Sequence, residues 1–270
     1  MVNANLNDNT PDLSVLIMSY DGFADEWEAC DYCFNKYWRV NCPVYLVTNY
    51  ANPEFKFLNV FQIGDACYSN GIYKFIEQCD SEYVLLLMAD FLPKKQITNE
   101  SLTSLIDLLK KESIDYCSVY TQKDKVKYYK KFKNYKNLLQ IDMSVDYAVN
   151  VMPAIWKTTL LKDLTNNVNL DPWGFEVSFQ RESPQRVKMC NTLNVYSKNV
   201  IYPFCHTVVK GKYTRDGIKF LKKESIFQGK RKKMGYWENF KFHISNRLPR
   251  KLISKIKKVL IKFGFKFYVD

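Results

Sequence analysis

Residues 81–93 read SEYVLLLMADFLP, the most apolar stretch of the chain. Ser81 and Glu82 lead in from solvent, Tyr83–Met88 are all apolar, and the chain re-emerges on a single carboxylate, Asp90, followed by Phe91 and Pro93. A short run that is apolar at every position predicts a strand covered on both faces, as in the sheet of an α/β protein.

The pattern repeats outward from this strand. LSVLIMSYD (13–21) is a second apolar run with a polar exit, CPVYLVTN (42–49) a third, and KFLNVFQIG (56–64) a fourth candidate. Between them, Asp25 to Trp38 places Trp27, Cys30, Phe34 and Tyr37 at helical spacing. NGIYKFIEQCD (70–80) and SLTSLIDLLKK (101–111) also read as helices. Strands alternating with helices predict an α/β layer with a mostly parallel sheet.

The middle of the chain is less regular. KDKVKYYKKFKNYKNL (123–138) is basic and Tyr-rich, and it reads as a surface hairpin or excursion beside the site. SVDYAVNVMPAIWKTTLLKDL (144–164) predicts a strand, then Pro153, then a helix; DPWGFE (171–176) predicts a rigid turn. NVYSKNVIYPFCHTVVKGKYTRDG (194–217) predicts one or two late strands and a Lys-Gly-Lys loop.

Composition narrows the class. With 270 residues and 47% hydrophobic content, the chain has material for one large core. The formal charge of +12 is uneven: Lys219 to Asp270 hold thirteen Lys, three Arg and three acids, while the first 218 residues are close to neutral. The expected division is a body, 1–218, and a basic tail, 219–270. RKLISKIKKVLIKF (250–263) puts Leu252, Ile253, Ile256, Val259, Leu260 and Phe263 on one helical face, with lysines largely opposite. Such a helix suits an anionic membrane surface.

No apolar run approaches the roughly 18 residues of a spanning helix, and MVNANLNDNTPD lacks the basic start of a secretory signal. The expectation is a cytoplasmic protein, peripheral on the inner face of the membrane. Eight scattered Cys, with only Cys30 and Cys33 as C-x-x-C, predict reduced thiols rather than a zinc site. P-loop, dinucleotide-binding and nucleophile-elbow motifs are all missing.

In an open α/β sheet, ligands bind beyond the carboxyl ends of the strands. The polar residues there are Ser19, Tyr20 and Asp21, then Thr48 and Asn49, then Asp90. Asp90 is either a cation or hydrogen-bond site or an ordinary loop carboxylate on a strand exit. In DPWGFE, Asp171 and Glu176 are acids among Trp and Phe; apolar surroundings raise proton affinity and suit a general base, while a packed turn with solvated acids is the plainer reading. His206 follows a late strand and joins Asp90 as a candidate metal ligand, and Lys210 and Lys212 make an anion site or a solvated basic loop.

In order along the chain, LSVLIMSYDGFADEWEA, PVYLVTN, EYVLLLMADFLP, AIWKTTLLKDL, DPWGFE and VVKGKY resemble a family of bacterial sugar transferases from capsule and lipopolysaccharide O-antigen clusters, across about residues 13 to 213. The resemblance implies a GT-A-like, Rossmann-type mixed sheet flanked by helices. It implies Ser19 and Asp21 near a nucleotide-sugar donor, Asp90 at the metal-binding Asp-x-Asp position, Glu176 near the catalytic base and Lys210–Lys212 near the diphosphate. The chain departs from that pattern: Met88-Ala89-Asp90 keeps only the last acid, and Tyr68 and Asn70 stand where a Trp and an acid are expected.

The implied reaction is displacement at an anomeric carbon with inversion, aided by Mg²⁺ or Mn²⁺, onto a lipid-linked glycan acceptor, with a retaining route as the alternative. No nucleic-acid partner is expected. The rival readings are a nucleic-acid-binding protein using the basic aromatic tail, and a degenerate transferase that binds without turnover.

Overall fold

The computed structural model describes residues 12–120, 126–180, 182–226 and 229–245. The chain begins with β1 (Leu13–Met18), a 3-10 turn over Asp21–Glu26, α1 (Trp27–Tyr37), β2 (Trp38–Arg39), β3 (Val44–Thr48) and β4 (Asn59–Gln62). Then come α2 (Tyr68–Ile76), β5 (Tyr83–Met88), β6 (Phe91–Pro93), β7 (Ile97–Thr98), α3 (Asn99–Lys111) and β8 (Tyr116–Ser118). A second 3-10 turn at Val126–Tyr128 precedes β9 (Lys130–Lys131), β10 (Leu138–Gln140), β11 (Ala154–Lys157), α4 (Thr158–Thr165), α5 (Pro172–Val177) and α6 (Pro184–Cys190). The last elements are β12 (Asn194–Ser197), β13 (Phe204–His206), β14 (Val208–Val209), β15 (Lys212–Tyr213), α7 (Arg215–Lys223) and α8 (Tyr236–Ser245).

The result is an α/β fold: a nine-stranded mixed sheet in the order β4-β3-β1-β5-β11-β8-β12-β10-β9, flanked by helices. Side chains alternate across it with the two-residue strand period. Tyr83, Leu85 and Leu87 of β5 pack with Trp27, Cys30 and Phe34 of α1 and with Leu102 and Ile106 of α3. Val84 and Leu86 face Ile72 and Phe75 of α2, Leu161 of α4 and Phe175 of α5. Both faces are therefore covered, which is why the strand carries no polar residue; each such side chain contributes about 1.5–3 kcal/mol on burial.

Four expectations need correction. The sheet is not mostly parallel. β4, β3, β1 and β5 run parallel, but β11 lies antiparallel between β5 and β8, and β10 and β9 are antiparallel at the far edge. No strand precedes Pro153: residues 144–152 form turns, with the Asn150 side chain accepting from Met152 N, and the strand starts at Ala154. DPWGFE is a helix, α5, because Pro172 suits the first helical position and Asp171 caps it. The basic excursion does form a hairpin, β9–β10, but β10 lies four strands from β5, about 19 Å away. That takes the hairpin away from Asp90, while Tyr129 just before it packs in one cluster with Phe175 of the helix that carries Glu176.

The boundary expected between 218 and 219 falls inside α7, and the amphipathic face from Leu252 to Phe263 lies outside the described residues. All eight cysteines are free, and Cys30 and Cys33 are sealed inside α1, where burial pushes both thiols up. No described helix is long and apolar enough to cross a membrane.

Candidate functional site

The strands β4, β3, β1 and β5 form the parallel half of the sheet. The helix after β1 packs on one face of it and the helix before β5 on the other. In such a sheet the carboxyl ends of adjacent parallel strands, here β1 and β5, are where ligands bind. The β1–β5 register runs from Leu13↔Tyr83 to Met18↔Met88, and Ala89 N donates to Met18 O at 3.1 Å. Ser19 and Asp90 thus leave adjacent strands at one edge.

The exits of β1 and β3 are tied to each other. Asp21 accepts the backbone amides of Asn49, Tyr50 and Ala51 at 2.8, 3.0 and 3.1 Å, and Asn49 Oδ1 accepts from Asp21 N. Desolvation works against the Asp21 carboxylate, but the three amides outweigh it and hold its pKa below the ordinary value. Ser19 Oγ accepts from Trp27 Nε1 at 2.7 Å. Thr48 is fully buried, with its hydroxyl donating to Ala51 O at 2.7 Å. Tyr20 stays exposed, its ring lying over Gly22, where a Cβ would come within 2.4 Å of it. Tyr50, which the sequence reading passed over, is exposed beside Asp21.

Asp90 meets His206. β6 pairs antiparallel with β13, setting Phe91 opposite His206, and His206 Nε2 lies 3.1 Å from Asp90 Oδ2. The imidazole is 4.5 Å, centroid to centroid, from the Phe91 ring. Thr207 N donates to Asp90 O at 2.9 Å, so both residues are held by backbone as well as by side chains.

At 3.1 Å the two are within hydrogen-bond reach, and the same spacing would let both ligate a divalent ion. Two neighbouring ligands of an octahedral ion at about 2.1 Å stand about 3.0 Å apart, close to the observed separation. A carboxylate suits Mg²⁺ or Mn²⁺, and the imidazole shifts the preference toward Mn²⁺. Among the described residues no third His, Cys, Asp or Glu joins them, so a bound ion would take its other ligands from a donor molecule and water.

Directly after His206, β14 and β15 form a hairpin whose tip is Lys210-Gly211. Both have positive φ, 52° and 71°, as a two-residue primed turn requires. Lys210 is exposed, and Lys212 is paired with Glu238 at 2.6 Å.

On the other face, Ser69 at the start of α2 donates its amide to Leu170 O, bringing α5 to the same edge of the sheet. Asp171 Oδ1 accepts from Gly174 N at 2.6 Å, so this residue, expected as catalytic, acts here as the cap of the helix carrying Glu176. Phe175 anchors that helix against Tyr68 and Trp156. Burial first, then the charge of Glu176, pushes the Tyr68 phenol up. Trp173 is 69% exposed and stands three residues before Glu176 on the same helical face. The sequence offered no signal for it beyond the Trp itself.

The structure therefore unites Asp90 with His206, Asp21 with Asn49, and Asp171 with Glu176, with the His206 hairpin on the α1 face and Glu176 on the α2 face. Clefts lined by Lys130, Gln140, Asp142 and Asn194, and by Ser14, Pro43, Tyr45 and Ser81, hold none of the expected residues.

No protein-family model matches the chain, and no curated protein matches its sequence. Solved structures do match. Mannosyltransferase PcManGT from Pyrobaculum calidifontis, in complex with GDP-Man and Mn²⁺, is 12% identical with a TM-score of 0.46, over 75% of this chain and 59% of that one. S. aureus TarS 1–349 in complex with UDP-GlcNAc is 14% identical with a TM-score of 0.46, over 74% and 60%. TarS 1–349 alone is 15% identical with a TM-score of 0.43, over 71% and 59%. The chain spans about three fifths of the length of these structures.

Proposed function

We propose that this chain is a nucleotide-sugar-dependent glycosyltransferase of the hexosyl-transferring kind, acting in bacterial capsule or O-antigen synthesis on a lipid-linked glycan at the inner face of the cytoplasmic membrane. The observation that carries the reading is the convergence of Asp90 and His206 at the strand exits beside Ser19.

Asp90 and His206 would hold a divalent ion there, which supplies positive charge to a departing nucleoside diphosphate. Ser19, Tyr20, Asp21 and Asn49 frame the nucleotide side of these exits, with Tyr20 offering its exposed ring. Lys210, exposed at the hairpin tip, adds cationic charge toward the diphosphate, and Lys212 would join it by exchanging Glu238 for phosphate oxygens. Glu176 takes the proton of the acceptor hydroxyl as its oxygen bonds the anomeric carbon. The bond from that carbon to the donor phosphate breaks, its electron pair leaving with the diphosphate, and the configuration inverts. Asp171 keeps Glu176 in place by capping α5. Trp173 presents a flat apolar face to the acceptor ring one turn from the base.

The test is calorimetric titration of UDP and GDP with and without Mn²⁺, on the wild type, Asp90→Ala and His206→Ala. The reading expects Mn²⁺-dependent binding of one nucleotide, weakened at least tenfold by either substitution. Binding of neither, or binding indifferent to both substitutions, overturns it.

A further inference from the structure

Residues 229–239 run back over the exit of β1. Arg231 forks onto Asp25, Nε to Oδ2 at 2.7 Å and Nη2 to Oδ1 at 2.5 Å, with its guanidinium 4.0 Å from the Phe23 ring. Gly229 N donates to the Tyr213 hydroxyl at 2.9 Å. Tyr213 N donates to Lys232 O and Met234 N donates to Tyr213 O, both at 2.9 Å, so Lys233 makes an isolated parallel bridge to Tyr213 of β15. Further on, Asn239 Oδ1 accepts from Arg215 N at 3.1 Å, and the Arg215 guanidinium sits 3.1 Å over the Tyr236 ring.

From Tyr213 the connections lead straight to the candidate pair. The next residue, Thr214, donates its amide to Thr207 O and its hydroxyl to His206 O, each at 2.8 Å, and Thr207 N reaches Asp90 O. Tyr213 also lies beside the buried carboxylate of Glu26, whose Oε2 accepts from Thr207 Oγ1. Nothing in the basic composition of this segment foretold such an engagement.

We propose that Gly229–Asn239 is a positioning element of the candidate site: it clamps the β14–β15 hairpin and so holds His206 against Asp90, with Arg231 as its anchor. The inference rests on the reading of Asp90 and His206 as the working pair. A bidentate Arg–carboxylate pair stacked on an aromatic ring is suited to this, because it fixes orientation as well as distance. Part of what composition assigns to a membrane tail is thereby part of the catalytic body.

The chain has only two histidines, so imidazole NMR signals are readily assigned, with His243→Gln identifying His206. In the full-length protein, Arg231→Ala and Tyr213→Phe are expected to move the His206 ring signals and to raise the Mn²⁺ concentration that half-broadens them about tenfold, or roughly 1.4 kcal/mol. Gly229→Ala serves as a variant that removes no charge: its Cβ would meet Asp25 Oδ2 at 2.8 Å and the Tyr213 hydroxyl at 3.0 Å, displacing the segment. His206 signals unchanged in the folded variants, with midpoints within twofold of wild type, overturn the proposal. If Mn²⁺ fails to broaden His206 in the wild type, the metal reading falls, while the comparison of ring signals still decides the role of the segment.

Discussion

Thr207 Oγ1 donates a 2.9 Å hydrogen bond to Oε2 of Glu26, a carboxylate sealed from solvent in the turn after β1. Burial raises the Glu26 pKa, and this prevails over the lowering influence of Tyr213, Thr207 and Arg231. The folded protein therefore holds this proton to higher pH than the unfolded chain, and stability declines as pH rises from near 4.5 through the raised value. Glu26→Gln keeps an acceptor for Thr207 and carries no charge. Its melting temperature relative to wild type should climb between pH 5 and pH 8; a difference that is flat or falls with pH contradicts the buried-acid account.

Asp21 shows the opposite sign. Its amide partners lower its pKa, so its contribution is present above the ordinary value of 3.8 and is lost as pH falls through the lowered one. Asp21→Ala leaves the amides of residues 49–51 to water and should cost about 1 kcal/mol in urea unfolding at pH 7. An unchanged midpoint would mean the loop does not need the carboxylate.

Gly217 lies in α7, where alanine is ordinarily better by about 1 kcal/mol. Here a Cβ would come within 2.8 Å of Thr207 Cα and Thr207 O, backbone atoms that cannot swing aside. Gly217→Ala should destabilise by about 1–3 kcal/mol, the overpacking range, and disturb His206. Stabilisation would show that α7 yields instead.

Trp173→Ala removes an exposed ring, so stability should stay within about 0.5 kcal/mol. On the proposed function the acceptor KM rises severalfold while nucleotide affinity holds. An equal loss of nucleotide affinity would move Trp173 to the donor side.

Truncation separates anchor from body. Residues 246–270 carry eight Lys and Arg against one acid, and each base near an anionic surface is worth about 1 kcal/mol. Removal of 246–270 should release the protein from anionic vesicles and spare donor hydrolysis. Removal of 219–270 cuts through α7 and takes away the segment clamped to Asp25 and Tyr213, and should impair folding as well. Unaltered vesicle binding by the shorter truncation would place the anchor elsewhere.

The buried strands were legible in the sequence because a strand covered on both faces must be apolar at every position, and Tyr83–Met88 meets that condition in a run too short for a typical helix. The polar exits were plain for the same reason, since an apolar run has to end where burial ends. Their partners were not. Asp21 reads as a ligand residue in one dimension, yet its oxygens close a loop 28 to 30 residues away. DPWGFE reads as a turn, because a six-residue helix is too short to show a period, although the Asp171 cap and Pro172 at the first position mark its start locally and Tyr68 and Trp156 pack against it.

The sequence by itself determined the α/β class, the acid at the end of the central strand and the basic character of the C-terminal segment, all of which follow from local composition and spacing. Only the tertiary structure decided that Asp90 faces His206 across 116 residues, that Thr48 is buried on Ala51 O, and that Arg231 forks onto Asp25. Hydrogen bonds and ion pairs between distant segments depend on where the sheet order and helix packing bring them, and such bonds leave no periodic trace in the chain.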